Sequence, residues 1–366
     1  MNPMEYPLKP EERVLFALRA LYQSYGYSQF KMSKFEEYDL YVRNKDFLIS
    51  DGVITFTDTD GRLMALKPDV TLSIIKNTRD LPGCVQRLCY SENVYRISGS
   101  TRSFKEIMQT GLECIGDVDL YCLCEVISLA ERSLRIIDER CVLDLSHMGV
   151  VSALADGLGL EGEAQAALLK CIGEKNADGV RKLCPNGNID GILALIAAHG
   201  VPEETIAALR PWCAEGAAKA ALDELAAVTA ALSAMDCDRV RVDFSIVNDM
   251  NYYNGIVFRG YIDGIPTGVL SGGQYDKLMQ RMGRQARAVG FAIYMDLLER
   301  LADAPRPYDV DTVLLYEDGA DVTALSRAAR EIAASGRSVT AQKAVPEKMK
   351  YRELVRFDRE GGEGHA

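Results

Sequence analysis

The segment with the clearest chemical pattern is 107–116, which reads IMQTGLECIG. If it forms a β-strand, Gln109, Gly111 and Glu113 share one face, because successive side chains of a strand point to opposite sides. A glycine between an amide and a carboxylate leaves an opening above the sheet, which can hold a small polar ligand. From these residues alone, a solvated face of an antiparallel sheet explains the pattern equally well.

Two other places combine polar or aromatic residues with turns. Asp69 and Thr71 follow Pro68, and residues of these types most often cap the helix that they begin. Tyr252 and Tyr253 precede an Asn-Gly turn, where core packing accounts for an aromatic pair. Each of these clusters therefore has a structural explanation beside a functional one.

The composition argues against several classes of protein. The 366 residues are 48% hydrophobic and 26% charged, which is typical of a globular chain of two or three domains. The net charge of −11 and the pI near 5.0 argue against binding to a phosphate backbone. The cysteines and histidines lack the spacing of a metal site, so we expect reduced thiols and no metal. The chain shows neither a secretory signal nor an apolar run near the ~20 residues of a membrane span, so we expect a cytoplasmic protein without a membrane partner.

The elements that position these residues follow from hydrophobic periodicity and turn signals. Helical spacing predicts a helix from Pro10 to Gly26. Two hairpins are predicted, over 53–66 and 86–116, and a helix over 71–77 follows the first. The other predicted elements are a helix over 120–138 and strands over 27–32, 142–145, 239–247, 256–261, 267–270 and 288–293. Mostly antiparallel strands with interspersed helices indicate the α+β class.

The composition also changes along the chain. Residues 1–149 and 236–304 carry the strand patterns and form the predicted core. Residues 150–235 are rich in Ala and Leu at helical spacing, which is typical of an inserted helical domain. A strand-helix-strand pattern over 305–366 predicts a short C-terminal α/β region that ends in a charged tail.

Several motifs in a fixed order resemble the catalytic core of class II histidyl-tRNA synthetases, over roughly residues 5–303. They are LKPDVT over 66–71, VYR over 94–96, QTGLE over 109–113, YYNG over 252–255, SGGQYD over 271–276 and GFAI over 290–293. Each motif alone is weak, but a chance match of all of them in order is improbable. The resemblance implies a synthetase-like antiparallel sheet flanked by helices, with a helical insertion and a truncated C-terminal region.

The resemblance also implies a pocket for histidine. The carboxylate side chains, the glutamine and the threonine of this pocket would hold the ammonium group of histidine and orient the ligand. An ammonium group binds carboxylate and hydroxyl acceptors. Two tyrosines would enclose the imidazole, and an arginine would meet the ligand carboxylate. These implied residues are Asp69, Thr71, Arg96, Gln109, Glu113, Tyr252 and Tyr253. L-Histidine is therefore the expected ligand, and we expect no cofactor and no catalytic residue.

The sequence departs from the synthetase pattern at the residues that act on ATP. Leu297 stands in the place of the signature arginine that grips ATP, and Asn248 aligns with the histidine-specific catalytic arginine. Tyr294 replaces a usual glycine and would crowd a nucleotide, and Ser98 replaces an acidic residue of the second signature. Without the two arginines, the charge stabilisation that adenylate formation depends on is missing. We therefore expect no synthetase activity.

A synthetase-like core with a histidine pocket but without ATP or tRNA machinery resembles the regulatory subunits of ATP phosphoribosyltransferase. The resemblance implies a non-catalytic chain that forms a homodimer through its core and a hetero-octamer with a short-form catalytic subunit. It would activate that subunit and transmit histidine feedback in the first step of histidine biosynthesis, without a tRNA partner. Two alternatives stay open, a divergent histidyl-tRNA synthetase and a stand-alone histidine-binding paralogue.

Overall fold

A computed structural model describes residues 9–44, 52–97, 102–185, 187–247, 252–301, 308–357 and 363–365 of the chain. The contacts divide the chain into a larger compact unit, Glu11–Arg300, and a smaller unit that contains Leu301–Ala366.

The elements before residue 302 alternate between strands and helices. The strands are β1 (Ser28–Gln29), β2 (Phe35–Glu37), β3 (Thr55–Thr57), β4 (Leu63–Leu66), β5 (Val85–Ile97), β6 (Phe104–Gly116), β7 (Cys141–His147), β8 (His199–Gly200), β9 (Val240–Asp243), β10 (Ile256–Ile262), β11 (Leu270–Gln274) and β12 (Arg287–Tyr294). The α-helices are α1 (Pro10–Ser24), α2 (Tyr38–Arg43), α3 (Thr71–Asn77), α4 (Leu120–Ile137), α5 (Met148–Asp156), α6 (Gly162–Gly173), α7 (Ala177–Leu183), α8 (Asp190–Ala197), α9 (Pro202–Leu209), α10 (Gly216–Ala234) and α11 (Asp276–Arg281). In the part of the chain that the structure describes, 3₁₀ helices span Arg210–Trp212 and Met295–Leu301.

A large sheet organises the larger unit. Within the described residues its nine strands run in the order β1-β5-β6-β12-β11-β10-β7-β9-β8. The pairs β1–β5 and β7–β9 are parallel, and the other neighbouring pairs are antiparallel. The predicted α+β class with a mostly antiparallel sheet is thus confirmed.

Helices α1 and α4 cover one face of this sheet. The Tyr22 ring of α1 packs edge-on to Phe291 of β12, at 6.0 Å between ring centroids, and its hydroxyl lies 3.0 Å from Ser133 Oγ of α4. Leu134 of α4 lies against Gly260 of β10, where a Cβ would come within 2.6 Å of the leucine. Because side chains alternate along a strand, the residues next to Gly260 and Phe291 in sequence face the other side of the sheet.

The local predictions near the N-terminus agree with the structure. α1 begins at the predicted Pro10, and Gly26 follows it with a φ of +79°, a conformation that glycine adopts readily. The hairpin pairs β3–β4 and β5–β6 are both antiparallel, and α3 begins and ends where the sequence predicts. Strong turn and capping signals account for this agreement.

Three strands differ in extent or position from the prediction. The strand expected over 27–32 covers only Ser28–Gln29. The strand expected over 267–270 is β11, so Gly272 and Gly273 lie inside it rather than after it. Hydrophobic periodicity does not detect a strand with glycines in its interior. These glycines allow close packing, since a Cβ on Gly272 would lie 2.5 Å from Phe291 Cβ. The strand expected over 239–247 ends at Asp243, whose carboxylate accepts a hydrogen bond from the Ser245 backbone at 2.8 Å and turns the chain.

The region predicted as a helical insertion, 150–235, contains helices α5 to α10 and the short strand β8. β8 pairs with β9, and β9 pairs with β7, so this segment joins the large sheet. His147, which precedes α5, lies 3.0 Å from Glu224 of α10 through its Nε2 atom. The assignment of 150–235 as a separate inserted domain stays a prediction.

The smaller unit is an α/β sheet with one helix on it. Its elements are β13 (Val310–Tyr316), α12 (Val322–Ala334), β14 (Val339–Gln342), β15 (Tyr351–Phe357) and β16 (Glu363–His365), with the strand order β14-β13-β15-β16. α12 buries Leu325, Ala328 and Ile332 against this sheet. The sequence predicts the elements through β14, but it treats the segment of β15 as a charged tail, because Arg352, Glu353 and Arg356 interrupt its apolar residues.

Candidate functional site

A cavity of about 560 Å³ opens on the face of the large sheet opposite α4. Arg259 of β10 lines it. The next residue of this strand, Gly260, faces α4, so Arg259 lies on the opposite face of the sheet. All of the residues predicted from sequence to form a pocket also line it: Asp69, Thr71, Arg96, Gln109, Glu113, Tyr252 and Tyr253. The structure therefore brings these side chains together, and their role in ligand binding stays a prediction.

Two glycines of neighbouring strands leave room for side chains at the cavity, and one of them, Gly290, lines it. In the sheet register Glu113 of β6 lies beside Gly290 of β12, which lies beside Gly273 of β11. A Cβ on Gly290 would overlap the Glu113 carboxylate, and a Cβ on Gly273 would lie 2.7 Å from the Tyr253 ring. These two glycines thus make room for a carboxylate and an aromatic ring to lie on the sheet.

The opening predicted above Gly111 is occupied by protein. A Cβ on Gly111 would lie 2.8 Å from the hydroxyl of Tyr90, the residue beside it on β5. That hydroxyl donates a hydrogen bond to the Phe291 carbonyl at 3.4 Å. A cross-strand tyrosine therefore fills the space directly above Gly111, while Gln109 and Glu113 on either side of it line the cavity.

The acidic end of the cavity is centred on Glu113, which is 2% exposed. Thr71 Oγ1 donates to its Oε1 at 2.9 Å, and the Tyr275 hydroxyl donates to its Oε2 at 2.6 Å. Burial raises the pKa of Glu113 to about 8, the two hydrogen bonds oppose that rise, and the charge of Asp69 adds to it. This end of the cavity is therefore suited to a cation or to a donor N–H group.

Asp69 lies in the same part of the cavity and also supports a helix. Its Oδ1 atom accepts a hydrogen bond from the Leu72 backbone N–H in the first turn of α3 at 2.9 Å. Burial raises the pKa of Asp69, while that backbone bond and the charge of Arg96 oppose the rise. The structural and the functional explanations of Asp69 are thus compatible with each other.

Three tyrosines form an aromatic wall. The Tyr252 and Tyr253 rings are 4.5 Å apart between centroids, and Tyr252 is 6.1 Å from Tyr275. The sequence reasoning did not assign Tyr275 to the pocket, although Tyr275 belongs to the SGGQYD motif and could have been found through it. Its contact with Glu113 depends on the pairing of distant strands, which the motif does not show.

Two arginines add positive charge to the cavity. Arg96 lines it and donates from Nε to the Pro68 carbonyl at 3.0 Å. Arg259 and Tyr294 line it too. Burial raises the pKa of Tyr294, and the positive charges of Arg96 and Arg259 oppose that rise. The sequence reasoning did not assign Arg259 to the pocket, since its register opposite β11 is not visible in the local pattern.

The departures from the synthetase pattern fall in three places. Tyr294 lines the cavity. This position is the one that its predicted role, crowding a bound nucleotide, requires. Leu297 lies half-buried in the 3₁₀ helix Met295–Leu301. Ser98 and Asn248 lie outside the described residues.

Two other features bear on function. Among the residues that the structure describes, no group of three or more His, Cys, Asp or Glu side chains is arranged to hold a metal ion. A search of the same residues finds no helix with the length and apolar character needed to cross a membrane.

Comparisons with known proteins agree on one family. Residues 3–298 match the histidyl-tRNA synthetase family. The ATP phosphoribosyltransferase regulatory subunit of Moorella thermoacetica is 30% identical over 345 residues, which cover 90% of this chain and 86% of that protein. The regulatory subunit of Symbiobacterium thermophilum is 33% identical over 300 residues, 76% of this chain and 73% of that protein. A crystal structure from Bacillus halodurans C, named as an ATP phosphoribosyltransferase regulatory subunit/histidyl-tRNA synthetase, has a TM-score of 0.79 at 25% identity and covers 95% of this chain and 93% of that one.

Proposed function

Since the chain belongs to the family of ATP phosphoribosyltransferase regulatory subunits, on a histidyl-tRNA synthetase-like fold, we propose that it activates a short-form catalytic chain and makes that chain respond to histidine. The observation that carries the proposal is the cavity itself. It combines an acidic, tyrosine-lined part around Glu113 with Tyr294, a bulky residue in the place of the glycine that the synthetase pattern would have.

Histidine fits the chemistry of this cavity. Its ammonium group would be held by Asp69, Thr71 and Gln109, because carboxylate, hydroxyl and amide oxygens accept its protons. Its imidazole would lie against Tyr252 and Tyr253, with Glu113 accepting an N–H or neutralising a positive charge. Arg96 would meet the carboxylate.

Catalysis is not part of the proposed role. A synthetase needs cationic groups around the reacting phosphate, and Leu297 supplies none. Tyr294 lines the cavity in the place of the usual glycine. The chain would then keep amino-acid recognition without amino-acid activation, as expected for a sensor rather than an enzyme.

The proposed assembly links the two roles. The chain would pair with itself through the synthetase-like core and combine with catalytic chains in a hetero-octamer, without tRNA. Histidine inhibits such an assembly only if it binds the inhibited state more tightly than the active state.

The test is reconstitution with the short catalytic chain of the same organism. We expect formation of phosphoribosyl-ATP from ATP and phosphoribosyl pyrophosphate to require both chains and to fall when L-histidine is added. Glu113→Gln should keep activation but need more histidine for inhibition, whereas Glu106→Gln, on the exposed end of β6, should behave as the unmodified chain. A catalytic chain that is equally active alone would contradict the proposal, and ATP–pyrophosphate exchange that depends on histidine would favour a divergent synthetase.

A further inference from the structure

Arg259 stands at the far side of the cavity from the acidic end. In the sheet register it pairs with Ser271 of β11, which pairs with Ala292 of β12, which pairs with Gly111 of β6. Three strand spacings separate β6 from β10, about 14 Å in all. The residues of this row between Gly111 and Arg259 are small, so a ligand has space between the Glu113 end and the Arg259 end.

The segment before β11 fixes the side chain of Arg259. A Cβ on Gly268 would lie 2.7 Å from both Cγ and Cδ of Arg259, so the arginine stem packs on the backbone of Gly268. Val269 N–H donates to the Gly260 carbonyl at 2.8 Å and holds this segment beside β10. The guanidinium is therefore placed by packing and lines the cavity.

The cavity therefore offers both signs of charge. Arg96 and Arg259 line it together with Asp69 and Glu113, and the charges of both arginines act on Tyr294. An amino acid carries both an ammonium group and a carboxylate, so it can pair with both kinds of side chain. The synthetase pattern would place arginines at the positions of Asn248 and Leu297, and this chain has neither.

We propose that Arg259 binds the α-carboxylate of the amino acid together with Arg96 and so makes the cavity select amino acids over analogues that lack this carboxylate. The inference rests on the proposed function, because it assumes that the ligand is histidine. A guanidinium can bind a carboxylate through two parallel N–H···O bonds, which gives selectivity as well as affinity.

Calorimetric titration of the full chain with L-histidine and with L-histidinol tests this directly. Histidinol keeps the ammonium group and the imidazole but carries a hydroxymethyl group in place of the carboxylate. We expect the unmodified chain to prefer histidine by at least about tenfold and Arg259→Gln to weaken histidine binding about tenfold to a hundredfold, with histidinol affinity unchanged within twofold. Arg241→Gln, at an exposed position of β9 in the same sheet, is the matched control and should leave both affinities unchanged.

The outcomes separate the two proposals. If the unmodified chain binds histidine but Arg259→Gln weakens both ligands equally, or neither, the role of Arg259 is overturned and the histidine pocket stands. If the unmodified chain binds neither ligand, both proposals fall. Arg259→Lys provides a second test in case the glutamine variant folds poorly. It should lose part of the preference for histidine over histidinol, because a lysine has no planar fork. An Arg259→Lys variant that keeps the whole preference would overturn the inference.

Discussion

The Glu113 carboxyl is a place where a proton and a ligand cation would compete. Its pKa is raised to about 8, so near pH 7 the empty cavity mostly holds the protonated acid. A bound ammonium group or imidazole donor favours the carboxylate, and binding should therefore release a proton.

The first prediction follows from this competition. Histidine affinity should rise with pH, by about eightfold between pH 7 and pH 8.5, because the ionised fraction of Glu113 rises over that range while the free imidazole is already neutral. Glu113→Gln should remove this dependence and weaken binding at high pH by about 1.5–3 kcal/mol. Titrations in buffers of different ionisation enthalpy measure the released proton. A flat pH profile with no buffer effect would show that Glu113 does not face the ligand.

The second prediction concerns Gly290, which leaves room for the Glu113 carboxylate. Gly290→Ala should displace that carboxylate, weaken histidine binding and lower the free energy of unfolding by about 1–3 kcal/mol. The control is Gly157→Ala, after α5, where φ is −61° and the nearest atom to an added Cβ is 3.5 Å away. Denaturant unfolding should show this control neutral or slightly stabilised. Equal stability of the two variants would mean that the floor of the cavity can shift.

At the scale of the element, α3 and the cavity share Asp69. The carboxylate accepts a hydrogen bond from Leu72 at the start of α3 and also lines the cavity. An amide oxygen can accept the same backbone bond, but it carries no charge.

The third prediction separates these two roles of Asp69. Asp69→Asn should keep the stability of the fold and lose histidine affinity, whereas Asp69→Ala should lose both, with about 1 kcal/mol less stability. Thermal unfolding and calorimetry on the same samples measure the two effects. Full histidine affinity in Asp69→Asn would leave Asp69 with a purely structural role.

The elements that the sequence predicts well carry local signals. Pro10 and Gly26 bound α1, and the Gly61 turn joins β3 to β4, because these residues set backbone conformation by themselves. The predicted position of β11 was wrong, and the sequence left the order of the β15 segment open, because both strands depend on a neighbour. Tyr351–Phe357 pairs with β13, and Gly272 is required by contact with Phe291.

The residues of the candidate site also fall into those that local sequence motifs identify and those that depend on strand pairing. Motifs in the sequence select seven of the lining residues, acidic and basic ones among them, and the structure places them around one cavity. Tyr275 and Arg259 were missed because each gains its position through a strand pairing across the large sheet. The register between β10, β11 and β12 is not contained in any local pattern.

At the scale of the whole molecule, the proposed regulation obeys thermodynamic linkage. If joining the catalytic chain changes the histidine dissociation constant by some factor, then histidine must change the assembly constant by the same factor. The fourth prediction is therefore an equality between two ratios. Calorimetry on the free chain and on the complex gives the first ratio, and association measurements with and without histidine give the second. A large first ratio with an unchanged assembly constant would show that histidine also acts at another site.

The strand order of the large sheet determines when the pocket can exist during synthesis. β6, which carries Glu113, pairs on one side with β5 and on the other with β12, and the helices of 148–234 lie between β6 and β12 in the chain. A ribosome therefore releases Glu113 long before Gly290, and until then one edge of β6 has no partner strand. A nascent chain that has not yet released β12 lacks the cavity floor, so under the proposed function it could bind histidine only after β12 has left the ribosome.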